Sequence, residues 1–360
     1  MKTTLILGAG ASRAEGEAAD IPDSLRPPLD ATFFKQARGL DRPLFESVNE
    51  RVFAKYRLDL DTESSRYSLE HIFNLVYDWV VDEGERVHDS VSCYQSLRHL
   101  LWKTIAATTD ELRPTDSSPL YKLLWSLPSN SRSDHVDTIT YNYDLLVEKC
   151  LDRLCKDTRQ DMNFDIELCY CIHFGDSLPM TASAETFTTE GSRCDFEVIK
   201  PHGSANWFHM STDENAASQA LLGPSDDIWC CDDLTLREGY EAQVSHCEGE
   251  PLSLRYGRPI LVPPVFEKNT QYRGLLQGLR QIGLRKIAGA DRLVVYGYSF
   301  PQADVSAQAM FIGGLAGNRK KPEIHVIDVN PAVCERIVSL TGVRSLTYHC
   351  SVDDYLKTVG

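Results

Sequence analysis

An apolar run near the N-terminus of the chain ends in a glycine-rich turn. Residues 3–7 (TTLIL) form the run, and Gly8, Ala9, Gly10, Ala11 and Ser12 follow it directly. A short apolar run of this kind predicts a buried strand, and glycines at its end allow a tight turn into a helix. Such a turn leads into a helix or an ordered loop.

Further patterns extend this fold along the chain. Apolar runs predict strands at 136–140, 166–172, 196–199, 259–262, 292–296, 324–327 and 345–348. Helical patterns between them predict crossovers near 144–155, 270–287, 302–312 and 331–340. Because several runs are apolar on both sides, we expect an α/β fold with a Rossmann-like, mostly parallel sheet and helices on both faces.

Two segments interrupt the alternation of strands and helices. Residues 31–130 have helical spacing, with apolar residues at Leu69, Ile72, Phe73, Val76, Tyr77 and Val80. This spacing predicts a helical module inserted into the sheet. Residues 209–256 have weak periodicity and several acidic pairs, which predicts a loop-rich insertion. We expect residues 1–360 to form a single domain that carries both insertions.

Composition narrows the classes of function. The chain has 37 basic and 52 acidic side chains and a net charge of −15, which disfavours direct nucleic-acid binding. It contains no apolar window of about 18 residues, so we expect no membrane span. Its eleven cysteines are an odd, scattered set that does not suit a disulfide framework. A cytoplasmic location is therefore predicted.

The glycine turn has the chemistry of a phosphate site. Glycines after a strand let the backbone approach a pyrophosphate, and the free N–H groups of a helix N-terminus receive its charge. Arg13 stands where the third glycine of G-x-G-x-x-G would be, and no strand ending in Asp or Glu follows about 20 residues later. A nicotinamide dehydrogenase is thereby disfavoured. The alternative is a strand-end turn of small residues without a ligand.

Two polar motifs follow later strands. Thr140-Tyr141-Asn142-Tyr143-Asp144 lies where a strand passes into a helix, and His202 lies beside Gly203 just beyond another strand. Asn142 can orient a water or a ribose hydroxyl, and His202 is the candidate general base because its side chain titrates near neutrality. The alternatives are a turn residue for Asn142, a helix cap for Asp144 and a structural histidine for His202.

Two further motifs end strands closer to the C-terminus. Gly297, Ser299 and Pro301 belong to a turn that lacks the second glycine of a G-x-S-x-G elbow, so Ser299 is not expected to be a nucleophile. Asp328 and Asn330 follow the run at 324–327. Their polar groups suit ribose hydroxyls, and the alternative is that either residue caps the next helix.

In this order, the five motifs resemble those of the sirtuin-like family, and in particular its bacterial branch associated with antiphage defence and NAD+ destruction. The resemblance runs from Gly8 to Asn330 and extends to a turn at Ser351-Val352-Asp353. It implies that Asn142 and His202 are catalytic. It also implies that NAD+ contacts the following residues: Gly8, Ala9, Gly10, Ala11, Ser12, Arg13, Thr140, Asp144, Gly297, Ser299, Asp328, Asn330 and Val352.

The function implied by this resemblance is NAD+ hydrolysis to nicotinamide and ADP-ribose by an antiphage defence effector. NAD+ is then a substrate. A protein deacylase and a non-catalytic subunit that senses NAD+ or ADP-ribose are the alternatives. Since free NADase activity would be toxic, we expect control by homo-oligomerisation or by a partner protein such as a ring ATPase, with residues 31–130 as the contact.

One departure concerns zinc. Protein-deacylating sirtuins carry two C-x-x-C pairs, and this chain has none. A zinc site built from Cys194, Cys230, Cys231 and Cys247 is conceivable, whereas buried, inert thiols are the simpler expectation. No metal is therefore expected, and acyl-lysine recognition is placed in doubt.

Overall fold

A computed structural model of the chain describes residues 1–62, 66–83, 88–127, 136–157, 162–172, 194–211, 228–230, 234, 256–261, 273–302 and 304–359. Within these ranges, no helix has both the length and the apolar character that crossing a membrane requires.

The strands form two sheets. They are β1 (Thr3–Leu7), β2 (Val136–Thr140), β3 (Glu197–Ile199), β4 (Gly203–Ser211), β5 (Ile228–Cys230), β6 (Tyr256–Leu261), β7 (Arg292–Tyr296), β8 (Glu323–Ile327) and β9 (Thr347–His349). The central sheet has six strands in the order β3-β2-β1-β7-β8-β9, and all its pairs are parallel. All five residues of β1 are buried. Because successive strand residues face opposite sides, both faces of the sheet are covered, as predicted.

The strand order places one crevice in the sheet. Counted within the central sheet alone, the order is 3-2-1-4-5-6, which is the doubly wound order of dinucleotide-binding folds. The winding direction reverses between β1 and β7. Leu7 pairs with Thr140 on one side and with Tyr296 on the other, so three strands end at the same level. In open α/β sheets, ligands bind at this switch point.

Helices surround the sheet. They are α1 (Ala9–Ala18), α2 (Phe33–Leu40), α3 (Arg42–Tyr56), α4 (Leu69–Glu83), α5 (His88–Thr109), α6 (Pro119–Ser126), α7 (Leu146–Asp157), α8 (Ile166–Cys169), α9 (Arg273–Gly289), α10 (Val305–Gly317), α11 (Ala332–Thr341) and α12 (Val352–Val359). Short 3-10 turns lie at Asp23–Leu25 and Asp30–Thr32.

Two apolar cores hold these elements. Helices α2 to α5 share one core, which also includes Ala205, Phe208 and Leu261 from β4 and β6. Helix α6 instead joins the main core around the central sheet, where it packs against α7 and α12. The helical segment between β1 and β2 is thus anchored to both sheets.

Two strand predictions differ from the structure. The segment 166–172 was predicted as a strand but contains α8, because the Asp165 side chain accepts the N–H groups of Glu167 and Leu168 and caps a helix. The predicted strand at 259–262 belongs to β6, which pairs antiparallel with β4 outside the central sheet. Residues 209–211, 228–230, 234 and 256 are described from the predicted loop-rich insertion, and the remainder lies outside the described residues.

Candidate functional site

A cavity of about 550 Å³ opens at the carboxyl ends of β1, β2, β7 and β8. This volume lies in the range of small-molecule sites. The helical segment supplies one wall, formed by Pro27, Pro28, Leu29, Asp30, Ala31, Phe33, Leu69, Glu70, Leu101, Ile105 and Thr109. The strand ends supply the other wall, formed by Gly8, Ala9, Gly10, Ser12, Tyr141, Asn142, Tyr143, Asp144, His202, Gly297, Tyr298, Ser299, Pro301, Asp304, Asp328 and Val329.

The amide of Asn142 is fixed by its two N–H groups. Nδ2 donates to the carbonyl of Gly8 at 2.9 Å and to the Ser12 hydroxyl at 2.8 Å. Both N–H groups of the amide therefore donate to protein atoms. The chemistry that Asn142 can offer a ligand is that of Oδ1, which accepts a hydrogen bond.

Asp144 has two roles in the structure, one for each oxygen. Its Oδ1 accepts the N–H of Leu146, the first residue of α7, which is the capping role considered from sequence. Its Oδ2 accepts the Ser12 hydroxyl at 2.6 Å. Since Ser12 also accepts from Asn142, a hydrogen-bonded chain runs from the amide through the hydroxyl to the carboxylate. Removing any member would loosen the other two.

A buried ion pair contacts the Asp144 end of this hydrogen-bonded chain. Lys200 and Glu148 have fully buried side chains, and Lys200 Nζ lies 2.9 Å from Glu148 Oε1. Lys200 also donates to the carbonyl of Asp144 at 2.6 Å. This lysine immediately precedes Pro201 and His202, so a single side chain connects the His202 turn to the end of β2.

His202 lies among aromatic rings and beside a carboxylate. Its Nε2 is 3.2 Å from Asp304 Oδ2. The centroid of the Tyr141 ring lies 5.0 Å from that of the imidazole. The Tyr141 ring is also stacked on the Tyr298 ring, with their centroids 4.3 Å apart. Burial, together with the charge of Asp304, raises the pKa of Tyr141 and of Tyr298 well above its ordinary value, so both phenols stay protonated. Sequence reasoning missed Asp304, which the structure shows to cap α10 as well.

The glycines of the two turns pack against each other. Gly10 N–H donates to the carbonyl of Gly297 at 2.9 Å. Gly297 has a φ of +62°, and a side chain there would collide with the backbone at Ala11. The glycines therefore allow α1 to approach the turn after β7. This packing role is additional to the predicted phosphate role.

Five residues of the predicted NAD+ contact set do not line the cavity. Ala11 and Val352 are buried in the main apolar core, and Thr140 is buried with its hydroxyl accepting the N–H of Asn142. Arg13 forms an ion pair with Asp23. Asn330 is exposed, and its side chain accepts the N–H of Ala332 at the start of α11, which is the capping alternative.

The cavity is acidic. Its lining includes the carboxyl groups of Asp30, Glu70, Asp144, Asp304 and Asp328, and among the described lining residues none is Lys or Arg. Burial raises the pKa of Asp30 and of Asp328 above the ordinary value. Positive potential comes from the N-termini of α1 and α7. Such a site favours a ligand with a cationic part and an anionic part.

Behind the glycine turn, sequence reasoning also missed Glu15. Its side chain is buried on α1, and its Oε1 accepts the N–H of Leu120 in the first turn of α6 at 2.6 Å. Burial raises the pKa of Glu15 to about 7, and the negative charge of Asp144 adds to the effect. The signal in the sequence was weak, because Glu15 is one of two acidic residues, with Glu17, on a helix rich in small residues.

The conceivable zinc site is only partly described. Cys194 and Cys230 lie in described parts of the chain, and Cys231 and Cys247 lie outside them. Cys194 Sγ contacts the carbonyl of Phe196, and Cys230 Sγ accepts from Asn206. Within the described ranges, no group of three or more His, Cys, Asp or Glu side chains is arranged to hold a metal ion.

Comparisons with known proteins give similar structures at low identity. No family model and no curated protein sequence matches the chain. A Sir2 homologue in complex with NAD is 14% identical with a TM-score of 0.41, and the match covers 99% of this chain and 87% of that one. Sir2 with a p53 peptide and NAD+ is 16% identical with a TM-score of 0.39 and covers 99% and 91%.

Proposed function

We propose that the protein is an NAD+ glycohydrolase that cleaves the bond between nicotinamide and ribose and releases ADP-ribose. One observation carries the proposal. The amide of Asn142 and the imidazole of His202, each held by buried partners, line the same cavity at the switch point of a doubly wound sheet. The order of the motifs along the chain, which resembles that of sirtuin-like proteins, supports the same substrate.

The acidic cavity suits this reaction. The nicotinamide nitrogen of NAD+ bears a positive charge, so it leaves without a general acid. The sugar left behind develops oxocarbenium character, and fixed negative groups in a site shielded from water stabilise that charge. Asp144 and Asp304 are such groups, and both are buried.

Each catalytic side chain then has one task. Asn142 Oδ1 accepts a hydrogen bond from the attacking water or from a ribose hydroxyl. His202 accepts a proton from that water while the water oxygen bonds to the anomeric carbon. The electron pair of the broken bond leaves with nicotinamide. We place the diphosphate of NAD+ against the backbone of Gly8, Ala9, Gly10 and Ser12 at the α1 N-terminus, and we place the adenosine half at Asp328.

The experiment measures nicotinamide and ADP-ribose by chromatography after incubation of purified protein with NAD+. Asn142→Ala and His202→Ala are expected to lower the rate at least 100-fold and still to unfold in a single cooperative thermal transition, which shows that both variants are folded. His71→Ala is the matched control because His71 is exposed on α4. Full release from Asn142→Ala, or no release from the wild type in any assembly state, would contradict the proposal. An acetyl-lysine peptide that raises NAD+ turnover stoichiometrically would identify a deacylase instead.

The biological context is part of the proposal. We place the protein in the cytoplasm as an antiphage effector that depletes NAD+, and we propose that the helical module 31–130 mediates control through homo-oligomerisation or a partner such as a ring ATPase. Size-exclusion chromatography with light scattering, combined with activity measurements, tests this control. A monomer with full constitutive activity would contradict it.

A further inference from the structure

Asp304 presents its two oxygens to two different environments. Oδ1 accepts the backbone N–H of Ala307 at 3.3 Å and the Ser306 hydroxyl at 3.2 Å, and so caps α10. Oδ2 accepts the phenol of Tyr298 at 2.7 Å and lies 3.2 Å from His202 Nε2. Both Asp304 and His202 are buried, at 4% and 6% exposure. The carboxylate therefore contacts the imidazole away from bulk water.

The surrounding groups hold this contact in place. The helix cap fixes Oδ1, because the backbone N–H of Ala307 cannot turn away. The Tyr298 ring is stacked on Tyr141, which in turn packs against the imidazole. The high pKa of the buried Tyr298 keeps its phenol a donor to Oδ2. A carboxylate held in this way favours a proton on the imidazole nitrogen that faces it.

We infer that Asp304 is a positioning residue for His202, which selects the tautomer protonated on Nε2 and leaves the lone pair on Nδ1. This inference rests on the proposed function, in which His202 is the base. In the reaction, the water proton moves to Nδ1, the water oxygen bonds to the anomeric carbon, and nicotinamide leaves with the electron pair. Asp304 keeps its charge throughout and offsets the charge of the imidazolium.

Asp304→Asn tests the inference with little change in shape. The backbone N–H of Ala307 can only donate and requires an acceptor at the Oδ1 position, so the new amide nitrogen takes the Oδ2 position. One of its N–H groups donates to Nε2, and the Tyr298 hydroxyl, which can accept as well as donate, turns to accept from the other. The proton of His202 then moves to Nδ1. We expect kcat for NAD+ cleavage to fall at least 100-fold, with KM within threefold and the helix cap preserved. Ser306→Ala, which removes a hydroxyl from the opposite oxygen, is the matched control and should keep kcat within threefold.

A spectroscopic measurement separates this inference from the proposed function. In 15N-labelled protein, two-bond correlations of the ring nitrogens report the tautomer, and loss of a signal in His202→Gln identifies His202. We expect protonated Nε2 in the wild type and protonated Nδ1 in Asp304→Asn. This pattern in a wild type that cleaves no NAD+ would support the positioning role and refute the proposed function.

Three results would overturn the inference. The first is a wild-type His202 protonated on Nδ1, which is measured without any Asp304 variant and needs His202→Gln only to assign the signal. The second is an Asp304→Asn protein that keeps the wild-type tautomer. The third is a reversed tautomer with kcat within threefold of an active wild type.

Discussion

Replacement of Glu15 by Gln removes a buried charge next to the candidate site. The Glu15 carboxyl accepts the N–H of Leu120 at 2.6 Å in the folded protein, and Gln retains an oxygen that can accept this bond. Burial raises the pKa of Glu15 from its ordinary value of 4.5 to about 7. The folded state therefore binds the Glu15 proton more tightly than the unfolded state does.

The sign and the size of the effect follow from this difference. A raised pKa in the folded state means that its contribution to stability is fully present below pH 4.5 and is lost as the pH rises through about 7. The interval of about 2.5 pH units corresponds to about 3 kcal/mol. Relative to Glu15→Gln, the wild type is expected to lose about 3 kcal/mol of unfolding free energy between pH 4 and pH 8.

Chemical denaturation at several pH values measures this loss. The difference between the unfolding free energies of wild type and Glu15→Gln is plotted against pH, so that titrations common to both proteins cancel. Glu17→Gln is the matched control because Glu17 lies on the same helix with an exposed side chain and its replacement changes the net charge equally. A wild-type minus Glu15→Gln difference that stays constant from pH 4 to pH 8 would show that folding does not raise the pKa of Glu15.

Three further perturbations test the packing and the specificity of the site. Gly297→Ala is expected to lower the unfolding free energy by about 2 kcal/mol, because a side chain at positive φ is strained and meets the α1 backbone. Thermal or chemical unfolding measures this loss, and an unfolding midpoint equal to that of the wild type would contradict the prediction. Lys200→Met is expected to cost about 3–5 kcal/mol because it leaves Glu148 buried without its cation, and adding Glu148→Gln should restore part of the loss in the same unfolding assay. The kcat/KM for NADP+ is expected to be at least tenfold lower than that for NAD+, because the Asp328 carboxylate in the cavity lining repels a 2′-phosphate. In Asp328→Ser, the ratio of kcat/KM for NAD+ to kcat/KM for NADP+ should fall.

Most of the central sheet could be predicted from the sequence. The inner parallel strands are short runs buried on both faces, and burial of this kind leaves a continuous apolar signal, as at 3–7 and 292–296. The segment 166–172 was predicted wrongly because an apolar run alone does not distinguish a strand from a helix. The cap donated by Asp165 decided in favour of the helix.

The candidate site was only partly predictable. Polar residues directly after strands, such as Asn142, His202 and Asp328, stand out because parallel strands end at a common edge. Asp304 and Lys200 did not stand out, because their partners are far away in the chain. Asp304 lies 102 positions from His202 in the sequence but 3.2 Å from it in space.

The alternation of buried strands and helices, and the polar groups that follow the strands, can be read from residue types alone, since burial and turn geometry leave local patterns. Which atoms of those groups are already engaged depends on the folded chain. Packing brings Gly8 and Ser12 onto the Asn142 amide and Asp304 onto His202. Hydrogen bonding and charge act over a few ångströms, so they depend on contacts that only the folded sheet creates.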